Sequence, residues 1–213
     1  MATKRFIAIA GNIGSGKTTL TQLLAEQFSW EPHYEVVAEN PYLADFYSDM
    51  NRWSLQLQVF FLSQRFKAHQ TILSSGGSAI QDRSIYEDAH IFARALYESK
   101  KMDKRDFENY LDLYSTMTQY LVPPDLVVYV RRTVPKLKER IAERGRDYES
   151  NIPDEYLHQL NDCYDDWIKN YGLGKVLTVD ADDLDFKHNP DDFVYVCRQI
   201  DNSLEQPELT FRC

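Results

Sequence analysis

A glycine-rich segment near the start of the chain contains the residue types that bind nucleotide phosphates. Residues 11–18 fit the pattern G-x-x-x-x-G-K-[ST]. Glycines let consecutive backbone N–H groups point at phosphate oxygens, and a following helix N-terminus adds partial positive charge. We expect Lys17 to reach the β- and γ-phosphates and the Thr18 hydroxyl to bind Mg²⁺. The predicted phosphate-binding residues are Gly11, Asn12, Ile13, Gly14, Ser15, Gly16, Lys17, Thr18 and Thr19.

The alternative interpretation of this segment is a strand–helix turn that binds no ligand. The five residues before it, Phe-Ile-Ala-Ile-Ala, are typical of a buried strand. Residues 19–28 carry apolar side chains at helical spacing. Because a phosphate-binding loop lies between a strand and a helix, both flanks favour a nucleoside triphosphate site.

Two acids and an arginine stand at the ends of later apolar runs. Glu39 ends one run, and a carboxylate near a transferred phosphoryl group can accept the proton of an attacking hydroxyl. Asp82 and Arg83 end another run, where the acid can organise Mg²⁺ and the arginine can neutralise phosphoryl charge. Considered alone, Glu39 is as well explained as a helix cap or solvated acid, and Asp82 with Arg83 as a surface pair. The phosphate loop favours the catalytic interpretation.

Three arginines cluster where a later helix is expected to end. Arg140 and Arg144 are four residues apart and share a helix face, and Gly145 is expected to end the helix before Arg146. Guanidinium groups at such a position fit a lid that closes over phosphates. The alternative is that these cations only complement the helix dipole.

Short apolar runs alternate with longer helical stretches along the whole chain. Near-continuous hydrophobicity in the short runs is typical of parallel strands that are covered on both faces. The predicted strands are residues 5–10, 35–39, 78–82, 125–130 and 175–180. The predicted helices are residues 17–28, 53–73, 104–120, 135–144, 153–171 and 191–204.

This alternation predicts an α/β fold, with a doubly wound five-stranded parallel sheet, a P-loop and an arginine-rich lid at about residues 140–152. We expect one domain over residues 1–213, because no repeat, low-complexity tract or linker interrupts the pattern. Ligands of open α/β sheets lie beyond the carboxyl ends of the strands. The P-loop, Glu39 and Asp82 should therefore meet at one edge of the sheet.

The composition excludes several other kinds of protein. A net charge of −9 over 213 residues argues against a general affinity for nucleic acid, which needs clustered cations. The three widely spaced cysteines form neither a disulfide framework nor a metal-binding pair, which suits a reducing cytoplasm. There is no apolar leader or membrane-length apolar run, so we expect no membrane partner.

Short motifs that occur in one order along essentially the whole chain indicate a known family. They are Gly-Asn-Ile-Gly-Ser-Gly-Lys-Thr at 11–18, Asn-Pro-Tyr-Leu at 40–43, Phe-Tyr at 46–47, Trp-Ser-Leu-Gln-Leu-Gln at 53–58, Asp-Arg-Ser-Ile-Tyr-Glu-Asp at 82–88, Arg-Gly-Arg at 144–146 and Ile-Pro-Asp-Glu-Tyr-Leu at 152–157. Each motif alone is weak, but their joint order is specific. The chain resembles the P-loop deoxyribonucleoside kinases of the deoxycytidine, deoxyguanosine and deoxyadenosine kinase type, above all the bacterial deoxyadenosine kinases.

The resemblance implies a nucleoside kinase-like fold and roles for several residues at the sugar. Glu39 would be the general base on the 5′-hydroxyl, with Arg83 beside that hydroxyl and the phosphoryl group. Tyr47 and Glu149 would hold the 3′-hydroxyl. The acid at the position of Asp82 is Asp or Glu in the family; we favour Mg²⁺ organisation as its role, with proton acceptance as the alternative.

The resemblance also implies which residues bind the base. Gln58 and Arg65 lie seven residues apart, about two helical turns, so they share one face. With Asp88 they match the family's base-reading residues, because a carboxamide and a carboxylate accept from an exocyclic amine while the arginine donates to a ring acceptor. Phe92 would stack on the base.

We therefore predict ATP-dependent phosphorylation of a deoxyribonucleoside 5′-hydroxyl in deoxynucleotide salvage, with Mg²⁺ and with deoxyadenosine as first acceptor. Deoxycytidine and deoxyguanosine are the nearest alternatives. The family also implies a cytoplasmic homodimer formed through helices, with feedback inhibition by the end-product triphosphate. A nucleoside monophosphate kinase would need a further cationic site, whereas Tyr47, Gln58 and Glu149 suit a neutral sugar. A non-catalytic nucleotide-binding switch is the other alternative.

Overall fold

In the described part of the chain, five parallel strands form a sheet in the order β2-β3-β1-β4-β5. The computed structural model describes residues 4–37, 39–146, 149 and 152–205. Its strands are β1 (Phe6–Ala10), β2 (Glu31–His33), β3 (Ala79–Asp82), β4 (Leu126–Arg131) and β5 (Lys175–Asp180). The central strand β1 pairs Phe6 with Ala79 of β3 and Ile7 with Leu126 of β4. The predicted parallel sheet is confirmed.

Helices cover both faces of this sheet. They are α1 (Lys17–Phe28), α2 (Leu43–Ser48), α3 (Met50–Ser74), α4 (Arg94–Glu98), α5 (Lys104–Thr118), α6 (Val134–Arg144), α7 (Asp154–Lys169) and α8 (Pro190–Glu205). Alternate residues of β4 enter two separate cores. Val127 and Tyr129 pack with side chains of α3, α5 and α7, whereas Val128 and Val130 pack with α1 and α8. This burial on two faces explains why the strands read as continuous apolar runs.

The second strand lies earlier in the chain than predicted. We expected it at residues 35–39, but β2 is Glu31–His33, which pairs only along β3. An edge strand with one neighbour tolerates Pro32, whose nitrogen cannot donate a ladder hydrogen bond. The apolar Val36 and Val37, which suggested a strand, follow it as irregular chain.

Several helical elements were not predicted. They are α2, α4 and a π-helical segment, Asp88–Ala93, that runs directly into α4. The expected end of α6 is confirmed, because Gly145 caps it with φ +64°, a left-handed conformation that favours glycine. Of the predicted lid, residues 147, 148, 150 and 151 lie outside the described residues. No helix within the described ranges has the length and apolar character needed to cross a membrane.

Candidate active site

A cavity of about 250 Å³ lies at the carboxyl ends of the strands, next to the P-loop. Its walls come from the P-loop, from the segments after β2 and β3, from α3 and from the chain after α6. The predicted site residues that line it are Ile13, Gly14, Lys17, Thr18, Tyr47, Gln58, Arg65, Asp82, Arg83, Phe92, Arg144, Arg146 and Glu149. The predicted site residues absent from this lining are Gly11, Asn12, Ser15, Gly16, Thr19, Glu39, Asp88 and Arg140.

The P-loop is anchored on both sides by neighbouring helices. The Asn12 side chain donates to the Leu157 carbonyl at 2.9 Å and to Asn161 Oδ1 at 2.8 Å, both on α7. Gly14 has φ +82°, and a Cβ there would lie 2.8 Å from the Leu137 carbonyl of α6. Asn12 therefore holds the loop in place through its side chain instead of lining the cavity.

Lys17 is buried at the base of the loop. Its Nζ donates to the Asn12 carbonyl at 2.9 Å. Burial, aided by the nearby Arg83 cation, lowers the pKa of Lys17 to about 8. An anion beside this ammonium would offset the cost of burying it, which is the electrostatic condition for binding a phosphate.

Thr18 and Asp82 form an oxygen-donor pair at the mouth of the P-loop. Arg83 N donates to the Ile9 carbonyl at 3.0 Å, so the β3–β1 pairing continues to this point and brings Asp82 beside the loop. Thr18 Oγ1 donates to Asp82 Oδ2 at 2.5 Å, while the buried Asp82 Oδ1 has no hydrogen-bond partner among the described residues. A hydroxyl and an unpartnered carboxylate oxygen suit Mg²⁺. The described residues contain no group of three or more His, Cys, Asp or Glu able to hold a metal, so waters and phosphate oxygens would supply the remaining Mg²⁺ ligands.

The carboxylate that enters the cavity after β2 is Glu35, not Glu39. Glu35 lines the cavity, and its Oε1 lies 3.2 Å from Arg83 Nε and contacts Arg65. Glu39 is exposed. Glu39, which we predicted as the acid at the transferred group, lies outside the cavity lining because the second strand ends earlier than expected, and its catalytic role stays a prediction. Arg83, Arg65 and Lys17 lower the pKa of Glu35 to about 2 although burial opposes the shift.

Arg83 is held in a fixed position by a buried network. Its backbone has φ +66°, which is uncommon for a residue with a side chain. Arg83 Nη1 donates to the Tyr164 hydroxyl at 2.9 Å, and that hydroxyl donates to Glu87 Oε2 at 2.7 Å. The guanidinium carbon lies 4.3 Å from the centroid of the Phe92 ring. These contacts leave the Nε edge of the guanidinium directed at Glu35.

Two of the predicted base-reading residues, Gln58 and Arg65, line the cavity, whereas Asp88 is buried outside its lining and contacts Arg65. Gln58 and Arg65 are buried on α3, and Arg65 contacts Asp88 at the start of the π-helical segment. Gln58 Oε1 and Asp88 Oδ2 are buried without hydrogen-bond partners among the described residues. Buried polar atoms of this kind imply a ligand that satisfies them. Burial raises the pKa of Asp88 to about 7 against the opposing charge of Arg65.

Two of the predicted lid arginines, Arg144 and Arg146, form ion pairs with the same acid, Glu149. Glu149 is buried and accepts from Arg146 Nη1 at 3.3 Å and from Arg144. Tyr47 lines the same part of the cavity, and burial raises the pKa of its hydroxyl. Arg140 is partly exposed on α6, outside the cavity lining.

Comparison with known proteins identifies this arrangement. The family model for deoxynucleoside kinases matches residues 7–205. The chain belongs to the deoxynucleoside kinase family. It is 37% identical over 196 residues to the deoxyadenosine/deoxycytidine kinase of Bacillus subtilis, covering 91% of this chain and 90% of that relative. It is 35% identical over 204 residues to the deoxyguanosine kinase of the same organism, covering 94% and 98%.

The fold is that of solved deoxynucleoside kinases. The deoxyadenosine kinase of M. mycoides with bound dATP matches with a TM-score of 0.82 and 29% identity, over 92% of this chain and 99% of that one. The chain is thus a kinase, a transferase that takes its phosphoryl group from ATP, and the predicted enzyme class is confirmed.

Sequence reasoning missed several residues of this deoxynucleoside kinase site. Glu35, Tyr164 and Glu87 are the important ones. Glu35 stands at the start of an apolar run, which predicts it as the first residue of a strand. In the structure it lies two residues after the end of β2. Pro32 was the available signal. Within a sheet, proline is found mainly on edge strands, so it indicates an edge strand at residues 31–33 that ends just before Glu35. Tyr164 has no local signal, because only the fold brings α7 to Arg83.

Proposed function

We propose that the protein transfers the γ-phosphoryl group of ATP to the 5′-hydroxyl of a deoxyribonucleoside, with deoxyadenosine as its main acceptor. The supporting observation is the position of the Glu35 carboxylate: 3.2 Å from Arg83 Nε, in the cavity that Lys17, Thr18 and Asp82 also line. A hydroxyl between Glu35 and the P-loop would have a proton acceptor on one side and the phosphoryl group on the other.

Each charged group has a separate task in this transfer. Lys17 and the P-loop amides bind the β- and γ-phosphates, and Mg²⁺ held by Thr18 and Asp82 supplies charge neutralisation when bound. Glu35 takes the proton of the 5′-hydroxyl, and Arg83 stabilises charge on the group in transfer. Because Tyr164 and Glu87 hold Arg83 before substrate arrives, little reorganisation is needed.

The acceptor pocket favours a base with an exocyclic amine. Gln58 Oε1 and Asp88 Oδ2 are acceptors without partners among the described residues, and Arg65 lies beside them as a donor. Adenine, cytosine and guanine each carry an amine, whereas thymine does not. Two relatives support the same set: the B. subtilis protein named for deoxyadenosine and deoxycytidine, and the one named for deoxyguanosine.

A panel of acceptors tests this function. The full chain with Mg-ATP is assayed for monophosphate product, and kcat/KM is compared for deoxyadenosine, deoxyguanosine, deoxycytidine and thymidine. We expect the highest value for deoxyadenosine and the lowest for thymidine. Absence of product with all four would overturn the kinase function, and a preference for thymidine would overturn the acceptor assignment.

Further features belong to the same proposal. We expect a cytoplasmic homodimer in deoxynucleotide salvage that is inhibited by its end-product triphosphate and has no nucleic-acid or membrane partner. The bound dATP of the M. mycoides enzyme supports triphosphate binding by this fold.

A further inference from the structure

Arg132 is a buried arginine that the phosphoryl transfer described above does not use. It directly follows β4 and is 3% exposed. Its neighbour Arg131 is an exposed residue that pairs with Asp180 at 2.5 Å. In the described part of the chain, Arg132 forms no ion pair with a carboxylate; its hydrogen bonds go to backbone carbonyls. A buried cation without a carboxylate is costly, so its position calls for a physical reason.

The carbonyls that Arg132 binds belong to two separate segments. Nε donates to the Ser15 carbonyl of the P-loop at 3.0 Å. Nη2 donates to the Leu184 carbonyl at 3.1 Å, and Nη1 lies 3.5 Å from the Asp182 carbonyl, both in the loop after β5. One planar guanidinium thus ties the loop of residues 181–186 to the P-loop.

The ring of Phe186 strengthens the same connection. The Arg132 guanidinium lies 5.8 Å from the ring centroid. A Cβ at Gly16 would come within 3.1 Å of Phe186 Cζ, so the ring packs against the P-loop just before α1 begins. The backbone of Arg132 is held in place as well. The Asn161 side chain donates to the Arg132 carbonyl at 2.9 Å, and its Oδ1 accepts from the Asn12 side chain of the P-loop.

The electrostatics of Arg132 point to an anionic ligand on this side. Burial, with the nearby like charge of Arg140, lowers the pKa of Arg132 to about 10, although the carboxylates of Asp182, Asp185 and Glu139 oppose the shift. Arg140 is therefore close enough for the two cations to repel each other. The charge of a bound triphosphate would relieve this repulsion.

We propose that Arg132 is a positioning residue for the phosphoryl donor: it clamps the loop of residues 181–186 onto the P-loop and so sets the affinity for the nucleoside triphosphate. The Ser15 carbonyl and the Gly16 N–H belong to one peptide group, so a cationic donor on the carbonyl polarises an N–H of the P-loop that is available to a bound phosphate. Holding both loops in place before binding also removes an entropic cost. The inference rests on the proposed function for the identity of the donor.

Matched substitutions of the two adjacent arginines test the proposal. Arg132→Met, Arg132→Lys and the control Arg131→Met are compared with the wild-type chain. The measurements are KM for ATP, KM for deoxyadenosine, kcat, and the Kd of ADP by calorimetry without acceptor. We expect Arg132→Met to raise KM for ATP and Kd for ADP about tenfold, the loss expected for a hydrogen bond from a charged group. KM for deoxyadenosine should stay within about twofold.

The other variants separate positioning from a general structural role. Arg132→Lys keeps the charge but cannot span both loops, so its Kd for ADP should lie between those of wild type and Arg132→Met. If Arg132→Met does not fold, the comparison of Arg132→Lys with wild type carries the test. Arg131→Met should match wild type. Unchanged ADP affinity in the Arg132 variants, or equal losses for ATP and deoxyadenosine, would overturn the proposal. The ADP titration needs no acceptor, so it still decides the role of Arg132 if no deoxynucleoside is phosphorylated.

Discussion

Two buried acids at the candidate site, Glu35 in the cavity lining and Asp88 next to Arg65, have opposite electrostatic environments. Arg83, Arg65 and Lys17 surround Glu35 and lower its pKa to about 2, so the carboxylate is ionised throughout the neutral range. Asp88 contacts Arg65 and is near Arg83, but burial, aided by the like charges of Glu87 and Glu35, raises its pKa to about 7. Glu35 is therefore always unprotonated in the free enzyme, but it becomes an effective base only when bound substrate draws the charge of Arg83 and Lys17 away from it; Asp88, in contrast, changes charge near physiological pH.

The role of Glu35 is tested by one pair of substitutions. Glu35→Gln keeps the shape but removes the proton acceptor, so kcat should fall roughly 10²–10⁴-fold, the usual loss for a general base. Deoxyadenosine binding, measured by calorimetry, should change little. Glu39→Gln is the matched control, and because Glu39 is exposed its kcat should remain within about twofold of wild type. A large loss in Glu39→Gln with full turnover in Glu35→Gln would return the base role to Glu39.

The titration of Asp88 predicts a pH dependence of acceptor use. As pH falls through about 7, Asp88 binds a proton and loses the negative charge that orients Arg65 and accepts from an amine. We therefore expect kcat/KM for deoxyadenosine, at saturating Mg-ATP, to fall on the acid side of pH 7. Asp88→Asn should lower kcat/KM at all pH values and remove this acid limb. An unchanged limb in that variant would show that another group titrates.

At the scale of elements, the predicted position of the second strand was four residues too late, and this placed Glu39 instead of Glu35 at the cavity. The expectation that a carboxylate follows the second strand into the site is correct, but Val36 and Val37 made residues 35–39 look like that strand. A three-residue edge strand containing Pro32 has too little periodicity to be recognised from sequence. The P-loop, β3 with Asp82 and α3 with Gln58 were predicted because each lies in a long or strongly patterned element. The π-helical segment was not, because the non-local packing of Asp88–Ala93 against α3, α5 and α7 has no sequence signal.

Packing between the P-loop and α6 should make Gly14 intolerant of a side chain. A Cβ at Gly14 would meet Leu137 O and Ile141 Cγ1, each at 2.8 Å, and φ is +82°. Because α6 carries the lid arginines, Gly14→Ala should both raise KM for ATP and lower the free energy of unfolding by about 1 kcal/mol or more. Gly76→Ala is the control, since nothing lies within 4 Å of its added Cβ. Urea unfolding measures the loss of stability, and steady-state kinetics measure KM for ATP. Equal behaviour of the Gly14→Ala and Gly76→Ala variants would contradict the packing argument.

Across the whole molecule, charge is distributed unevenly. The net charge of −9 is spread over the chain, while the cavity concentrates cations. Five cations line it, Lys17, Arg65, Arg83, Arg144 and Arg146, against three acids, Glu35, Asp82 and Glu149. A local positive potential inside an acidic protein suits a small anionic ligand better than a long polyanion. This distribution supports the expectation of a nucleotide ligand without general affinity for nucleic acid.

The distribution of exposed apolar side chains supports the proposed homodimer. The helices α3 and α5 pack on each other, and large apolar residues remain exposed on them and just after α5. These residues are Val59, Leu113, Tyr120 and Val122. A two-fold interface places the same surface of both subunits together, so these helices could bury that apolar area against a second copy.

One charge on α5 should therefore separate the subunits. Wild-type protein is expected to have about twice the chain mass of 25.0 kDa in size-exclusion chromatography with light scattering. Leu113→Glu places a carboxylate in the proposed interface and should shift the mass towards 25.0 kDa, because an unpaired buried charge is costly. Val194→Glu is the control: Val194 is exposed on α8, which packs on the face of the sheet opposite to α3 and α5, and its substitution should leave the dimer intact. A monomeric wild type, or equal dissociation of both variants, would contradict an interface formed by these helices. The cavity is built from residues of one chain, so a Leu113→Glu monomer should still bind ADP, which calorimetry can check on the same sample.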